Sequence, residues 1–239
     1  MKGYCAFLDI EKAYDRVDRV ILFEILRKVG LGMKVVNIIR SMYENTRAIY
    51  RLGDLETRLV RSVRGVRQGC TLSPTLFGLY TEELAWRIRR SGLGMRVGND
   101  RLSCLLYADD IVLISESAEE LQEMLDLVAG YGRDFDVKFS SEKSKVIVIN
   151  GDVDDIDRLW QIGNIVIERT NEYKYLGCML NENGCERAKA EKLFKAHQWS
   201  GRLGSVARFR ANKYECIRGL WKGVGVPAIM YGIEVMRWT

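Results

Sequence analysis

The chain opens with a short apolar run, Tyr4 to Ile10, that stops at acidic residues. Such a run reads as a buried strand with a carboxylate, Asp9, at its end. Asp18 is placed to cap a helix whose apolar face is Ile21, Leu22, Ile25, Leu26 and Val29. Gly30 and Gly32 end it, and Val35, Val36, Ile38, Ile39, Met42 and Tyr43 mark a second helix. From Ala48 to Val63 the pattern alternates, and Gly53-Asp54 sits between two strand-like runs, which predicts a hairpin. A polar, glycine-punctuated loop, Arg64 to Thr71, leads to Ser73-Pro74. A serine N-cap followed by proline at the first helical position starts a helix there. Leu76, Phe77, Tyr80, Leu84 and Ile88 continue it with helical spacing, and glycines at 92, 94 and 98 break the pattern.

Ser103 to Ser115 holds two short apolar runs around Tyr107-Ala108-Asp109-Asp110, which predicts a tight hairpin with both aspartates at or beside the turn. Ser117 with Glu120 resembles a capping box ahead of a helix through Leu121, Met124, Leu125 and Val128. Lys145 to Asn150 reads as a strand, and Ile165 to Ile167 with Tyr173 to Leu180 as strands of a smaller sheet. The remainder, from about Cys185, is basic and helical in pattern. The order strand, helices, helix, hairpin, helix, strand is that of a split β-α-β unit. The expectation is an α+β fold, a small antiparallel ferredoxin-like sheet packed on helices over 1–182, with a basic helical segment over 183–239.

Composition narrows the function classes. Two prolines in 239 residues leave no proline-rich linker. No apolar run approaches the roughly 18 to 20 residues that span a bilayer. The first run is also too short and too charged for a signal peptide. The six cysteines, at 5, 70, 104, 178, 185 and 216, lack the close spacing of zinc or redox motifs, and His197 is the one histidine. Reduced cysteines used as small hydrophobes suit the cytosol or nucleus. The net charge of +5 matters through its placement. Arg187, Lys189, Lys192, Lys195, Arg202, Arg208, Arg210, Lys213, Arg218 and Lys222 gather in the last segment against Glu186, Glu191 and Glu215, while Asp152, Asp154, Asp155 and Asp157 gather elsewhere. A basic segment on a nearly balanced body suits a polyanionic partner.

The carboxylates carry the chemistry. Two adjacent aspartates between apolar strands are costly unless a cation or a donor network compensates them. Aspartate also favours turns, so the pair alone reads as a plain hairpin turn. Asp9, at the end of its own strand, changes the picture. If that strand lies beside the hairpin, three carboxylates meet at one edge of the sheet. Hard divalent cations such as Mg²⁺ take oxygen ligands and leave positions open for phosphate. Two such ions activate a hydroxyl and stabilise a leaving pyrophosphate.

Five runs then make the pattern specific. Phe7-Leu8-Asp9-Ile10-Glu11-Lys12-Ala13-Tyr14-Asp15 resembles the first palm motif of reverse transcriptases, and Tyr107-Ala108-Asp109-Asp110 their second carboxylate motif. Arg67-Gln68-Gly69-Cys70 with Leu72-Ser73-Pro74 resembles the motif between those two. Glu142-Lys143-Ser144-Lys145 is similar to the later lysine motif and Tyr175-Leu176-Gly177 to the primer grip. Pro227 to Glu234 is similar to the segment after the primer grip in non-long-terminal-repeat retrotransposons. Five short motifs in the family's order, over nearly the whole chain, are a far stronger signal than any one of them.

The resemblance implies a polymerase palm over 1–182 and the start of a basic thumb over 183–239. It implies an RNA-directed DNA polymerase that joins dNTPs to a DNA primer on an RNA or DNA template, with two Mg²⁺ ions, or Mn²⁺ in their place. Asp9, Asp109 and Asp110 would be catalytic and would hold the metals, helped by the carbonyl of Ile10. Ala13, Tyr14, Gln68, Gly69 and Lys143 would bind the nucleotide. Tyr14 would stand as a gate against a ribose 2′-hydroxyl, and Lys143 would donate a proton to pyrophosphate. Tyr175, Leu176 and Gly177 would position the primer end, and Lys189, Lys192 and Lys195 would meet nucleic-acid phosphates. A core tyrosine, an ordinary loop, a solvated lysine and an amphipathic helix pair are the structural alternatives for these positions. The family's fingers precede the first motif and are missing here, so the chain reads as part of a longer frame. The competing expectation is a truncated, non-catalytic nucleic-acid-binding relic. Location is expected in the nucleus or cytoplasm, with no membrane partner.

Overall fold

A computed structural model describes residues 2–49, 51–152, 155, 157–182, 186–207 and 212–233. Asp154, Cys185, Arg208, Phe209, Arg210 and Glu234 lie outside the described residues, as does the side chain of Arg187. The chain divides into two compact units, Met1–Arg169 and Thr170–Thr239. That boundary falls ahead of the one drawn at 182/183 from sequence.

The first unit runs β1 (Gly3–Asp9), α1 (Ala13–Arg16), α2 (Arg19–Lys28), α3 (Met33–Glu44), β2 (Arg47–Ala48), β3 (Arg51–Leu52), β4 (Leu55–Glu56) and β5 (Val60–Arg61). It continues with α4 (Ser73–Arg90), β6 (Met95–Val97), β7 (Asp100–Leu102), β8 (Cys104–Tyr107), β9 (Asp110–Ser115) and α5 (Ala118–Asp134). β10 (Lys145–Ile149), β11 (Trp160–Ile162) and β12 (Ile165–Arg169) complete it. Local signals set several boundaries. The Asp18 carboxylate accepts from the amides of Val20 and Ile21 and starts α2. The Ser117 hydroxyl accepts from the Glu120 amide and starts α5. Gly53 and Asp54 turn β3 into β4.

The main sheet has six strands in the order β11-β12-β10-β1-β9-β8, so β1 is central, between β10 and β9. Alternation decides which side chains face the helices. Tyr4, Ala6 and Leu8 of β1 join Ile111 and Leu113 of β9 and Val146 and Val148 of β10 in one core. Leu22 and Leu26 from α2, Leu76, Phe77 and Leu84 from α4, and Leu121, Leu125 and Val128 from α5 close on it. Each such side chain contributes roughly 1.5–3 kcal/mol by leaving water. Phe7, Val112 and Ile147 are buried on the opposite face. A strand buried on both faces cannot shift register without exposing one set, which fixes Asp9 in place.

Two expectations are corrected here. Ile165–Arg169 does not join a smaller sheet. It adds to the main sheet beside β10, in parallel, and β11 extends the sheet beyond it. Ser73 is not an N-cap. It is the first residue of α4, and its hydroxyl donates to the Arg67 carbonyl at 2.6 Å, which removes the oxygen from capping duty.

The second unit has a two-stranded hairpin, β13 (Glu172–Tyr175) and β14 (Cys178–Asn181). It continues with α6 (Glu186–Ala207), α7 (Lys213–Leu220), a π-helical turn (Trp221–Gly225) and α8 (Val226–Met230). Among the described residues, no helix is long and apolar enough to cross a membrane.

Candidate active site

Asp9 is the last residue of β1 and Asp110 the first of β9, and the two are direct partners across the antiparallel pair. β8 returns alongside β9 with Tyr107 opposite Asp110, so Ala108 and Asp109 form the turn. Ala108 has φ 54°, the left-handed region that favours glycine. The turn sets Asp109 beside its neighbour at the same edge of the sheet as Asp9. The carboxyl of Asp110 is held above the usual carboxylate range, first by burial and then by the charges of Asp109 and Asp9. The three aspartates therefore act on one another electrostatically and leave negative potential unmet.

A cation already answers part of it. Lys143 Nζ stands 3.4 Å from Asp9 Oδ2, with the lysine side chain 70 % exposed. The surrounding backbone is tied down. The Asp9 amide donates to Ser144 Oγ at 3.2 Å, and the Asp9 carbonyl accepts from Ser140 at 3.0 Å. Ile10 forms an isolated bridge with Phe139, made by this bond and by Glu11 donating to the Lys138 carbonyl at 2.9 Å. Neither bond uses the Ile10 carbonyl. Among the described residues, no group of three or more His, Cys, Asp or Glu side chains forms a set that would hold a metal ion. The oxygen donors and the charge suit a hard divalent cation, while the aspartates are not drawn into a closed ligand cage.

Tyr14, Gln68, Gly69, Cys70, Thr71, Ser73 and Pro74 line a recess of about 370 Å³. Three of the residues expected at the nucleotide thus share one cavity, whereas Ala13 is buried in the core. The Tyr14 ring stacks on Phe77, with centroids 4.9 Å apart and planes 18° apart. Gln68 Nε2 donates to Asp15 Oδ1 at 3.0 Å, which ties the loop to α1. The Leu72 amide, then that of Ser73, hydrogen-bonds the Cys70 sulfur and holds its thiol below the usual range.

The loop's position rests on residues that the sequence reading did not single out. Gly65 has φ +81°, and a Cβ there would lie 2.8 Å from the Asp15 carbonyl oxygen. That close approach lets the Gly65 and Val66 amides donate to the carbonyls of Val17 and Tyr14. Arg19 donates to the carbonyls of Gly65, Ser62, Arg64 and Tyr43, at 2.6–3.1 Å. A glycine in a loop is a legible signal for tight approach; one arginine among 37 basic residues is not.

Residues 1–180 match the family described as reverse transcriptase (RNA-dependent DNA polymerase). The chain belongs to the reverse transcriptase family. It is 29 % identical over 194 residues to the retrovirus-related Pol polyprotein from type-1 retrotransposable element R2 of Nasonia vitripennis, covering 77 % of this chain and 19 % of that protein. It is 25 % identical to the RNA-directed DNA polymerase from mobile element jockey of Drosophila funebris, over 98 % of this chain and 26 % of that protein. This reverse transcriptase domain spans about a fifth to a quarter of these relatives' length. A solved structure of telomerase from Candida tropicalis, in complex with a TWJ fragment of telomeric RNA, shares the fold. Its TM-score is 0.55 at 15 % identity, over 98 % of this chain and 39 % of that one.

In the second unit of this reverse transcriptase domain, Tyr175 pairs with Cys178, and Leu176 and Gly177 form the turn with φ 44° and 79°. Two positive φ values give the twist of a tight hairpin, and only the glycine adopts it freely. The Tyr231 hydroxyl donates to the Leu176 carbonyl at 2.6 Å and holds the turn. The three lysines of α6 are not equivalent. Lys195 is exposed and Lys189 half-buried. Lys192 is only 5 % exposed, donates to the Tyr231 carbonyl, and lies 5.4 Å over the Tyr231 ring. It is a packing cation rather than a member of an outward basic row, because its ammonium is satisfied inside the unit.

Proposed function

We propose that this chain carries out RNA-directed DNA synthesis, transferring a nucleotide from a dNTP to the 3′-hydroxyl of a DNA primer on an RNA or DNA template. The observation that supports it is the register pair of Asp9 and Asp110 with Asp109 in the adjoining turn. Asp9, Asp109, Asp110 and the Ile10 carbonyl would hold two Mg²⁺ ions, or Mn²⁺ in their place. When bound, such ions supply the charge that favours the 3′-alkoxide and the leaving pyrophosphate. The 3′-oxygen attacks the α-phosphorus, the bond to the β-phosphate bridge breaks, and pyrophosphate leaves. Lys143, close to Asp9, would give a proton to that leaving group.

The recess beside Tyr14 would take the incoming nucleotide, with Gln68 and Gly69 along its sugar and phosphates and Ala13 behind Tyr14. The stacked Tyr14 ring would exclude a 2′-hydroxyl. Tyr175, Leu176 and Gly177 would hold the primer end, within the division of palm at 1–182 and thumb at 183–239. Lys189 and Lys195 would meet backbone phosphates on this reading, in the nucleus or cytoplasm.

The test is Asp109→Asn, which keeps shape and removes charge. Mg²⁺-dependent primer extension should fall about a hundredfold or more, while duplex affinity stays within about twofold. Extension retained by the variant would refute the reading. A wild-type chain that binds duplex and never extends a primer would instead describe a non-catalytic binder.

A further inference from the structure

A second cavity, of about 230 Å³, opens between α2, α3 and the residues after β5. Arg19, Arg40, Arg61 and Tyr43 line it, with Glu44 as the one carboxylate among its lining residues. Three guanidinium groups around one small concavity repel unless an anion joins them.

Two of its groups have unmet hydrogen-bonding capacity. Tyr43 is 1 % exposed, and its hydroxyl has no hydrogen-bond partner among the described residues. Arg19 and Arg67 both lie over its ring, with guanidinium carbons 5.1 and 5.8 Å from the centroid. Arg40 stacks over Phe23 at 5.1 Å, and its buried Nε is likewise without a partner. Among the described residues, Arg61 reaches only the Glu44 carbonyl, at a long 3.4 Å. Arg19 spends its donors on carbonyls and the Ser62 hydroxyl, and no carboxylate among the described residues neutralises it. Buried donors without acceptors are costly, and both of these belong to residues that line the cavity.

We propose that this cavity binds a phosphate group. The guanidinium forks of Arg40 and Arg61 match the spread oxygens of a tetrahedral oxyanion, Arg19 adds charge without a free donor, and the phenol adds a further donor. A phosphate can come from a nucleic-acid strand or from a free phosphate. The strand source is favoured by the arm that leads into the cavity, where the exposed Arg47 and Arg58 have no ion-pair partner among the described residues. The proposal does not depend on catalysis at Asp109.

The experiment titrates the chain with inorganic phosphate at constant ionic strength, and separately with a labelled RNA oligonucleotide lacking terminal phosphates. Wild type, Arg40→Gln and Tyr43→Phe are compared. Tyr43→Phe removes a hydroxyl that has no partner among the described residues, so its thermal midpoint should not fall. Both variants should weaken saturable phosphate binding, Arg40→Gln by about tenfold. If oligonucleotide affinity falls in parallel and inorganic phosphate competes, the phosphate belongs to a strand. If only phosphate binding is sensitive to the variants, the ligand is a free phosphate. Absence of saturable phosphate binding by wild type, or equal binding by all three proteins, would overturn the proposal.

Discussion

Lys143 and Asp9 form an ion pair at 3.4 Å across two segments far apart in sequence. The lysine is mostly exposed, so the pair adds little to stability, about 0.5 kcal/mol. On the proposed function, its position beside Asp9 gives it a larger part in the chemistry. Lys143→Met should leave the urea midpoint nearly unchanged and lower the rate of primer extension about a hundredfold. A single-turnover measurement checks this. An unchanged rate would make Lys143 a solvated lysine after all.

Tyr14 stacks on Phe77 and lines the recess beside Gln68. The two roles separate by substitution. Tyr14→Phe keeps the stack and the bulk, so extension with dNTPs and rejection of ribonucleotides should both persist. Tyr14→Ala opens the recess, and the kcat/KM ratio of dNTP to rNTP should fall about tenfold or more. Discrimination that is untouched in an active Tyr14→Ala chain would assign the ring to packing alone.

Gly65 is the tightest point of the loop that carries Gln68. A methyl group there meets the Asp15 carbonyl at 2.8 Å and also requires a left-handed φ. Gly65→Ala should cost about 2 kcal/mol or more, read from urea unfolding. It should also raise the KM for dNTP, since Gln68 would shift from Asp15. A variant within about 0.5 kcal/mol of wild type would show that the loop gives way freely.

Much of this site was legible in the sequence, and the parts that were not share a physical reason. Asp18 and Ser117 cap helices through bonds that reach two or three residues, which a local pattern encodes. The Asp109 turn is equally local. The parallel addition of β12 beside β10 is not, because a short apolar run carries no mark of which sheet edge it joins. Ser73 looked like a cap because its type and its neighbour Pro74 suit one. The carbonyl of Arg67 claimed its hydroxyl instead. Lys192 sits in a basic series by composition, yet the Tyr231 carbonyl captures its ammonium, a contact that no periodicity announces. Arg19 and Tyr43 likewise matter through partners distant in the chain.

Asp155 gives a prediction in pH. Burial pushes its carboxyl up, but the Asp152 amide, the Tyr4 hydroxyl at 3.0 Å and the Lys2 ammonium outweigh this and hold it below the usual range. A lowered folded-state pKa stabilises the fold above the unfolded value and is lost as pH falls through the folded one. Asp155→Asn should therefore be less stable than wild type at neutral pH, with the gap closing below about pH 4. Urea midpoints across that range check it. A gap that stays constant would remove the charge from the explanation.

The place of β1 also bears on how the domain is made. Its seven residues, Gly3–Asp9, are hydrogen-bonded on one side to β9 and on the other to β10. Both partners leave the ribosome long after it. Until they emerge, the future centre of the sheet is an apolar segment with two bare edges, the kind of surface that pairs with other chains. The first aspartate thus waits through most of the domain's synthesis before it meets the second. Any ribosome stall or frameshift before residue 110 leaves a product with no carboxylate pair and an unprotected strand, so the paired aspartates and freedom from aggregation arrive together or not at all.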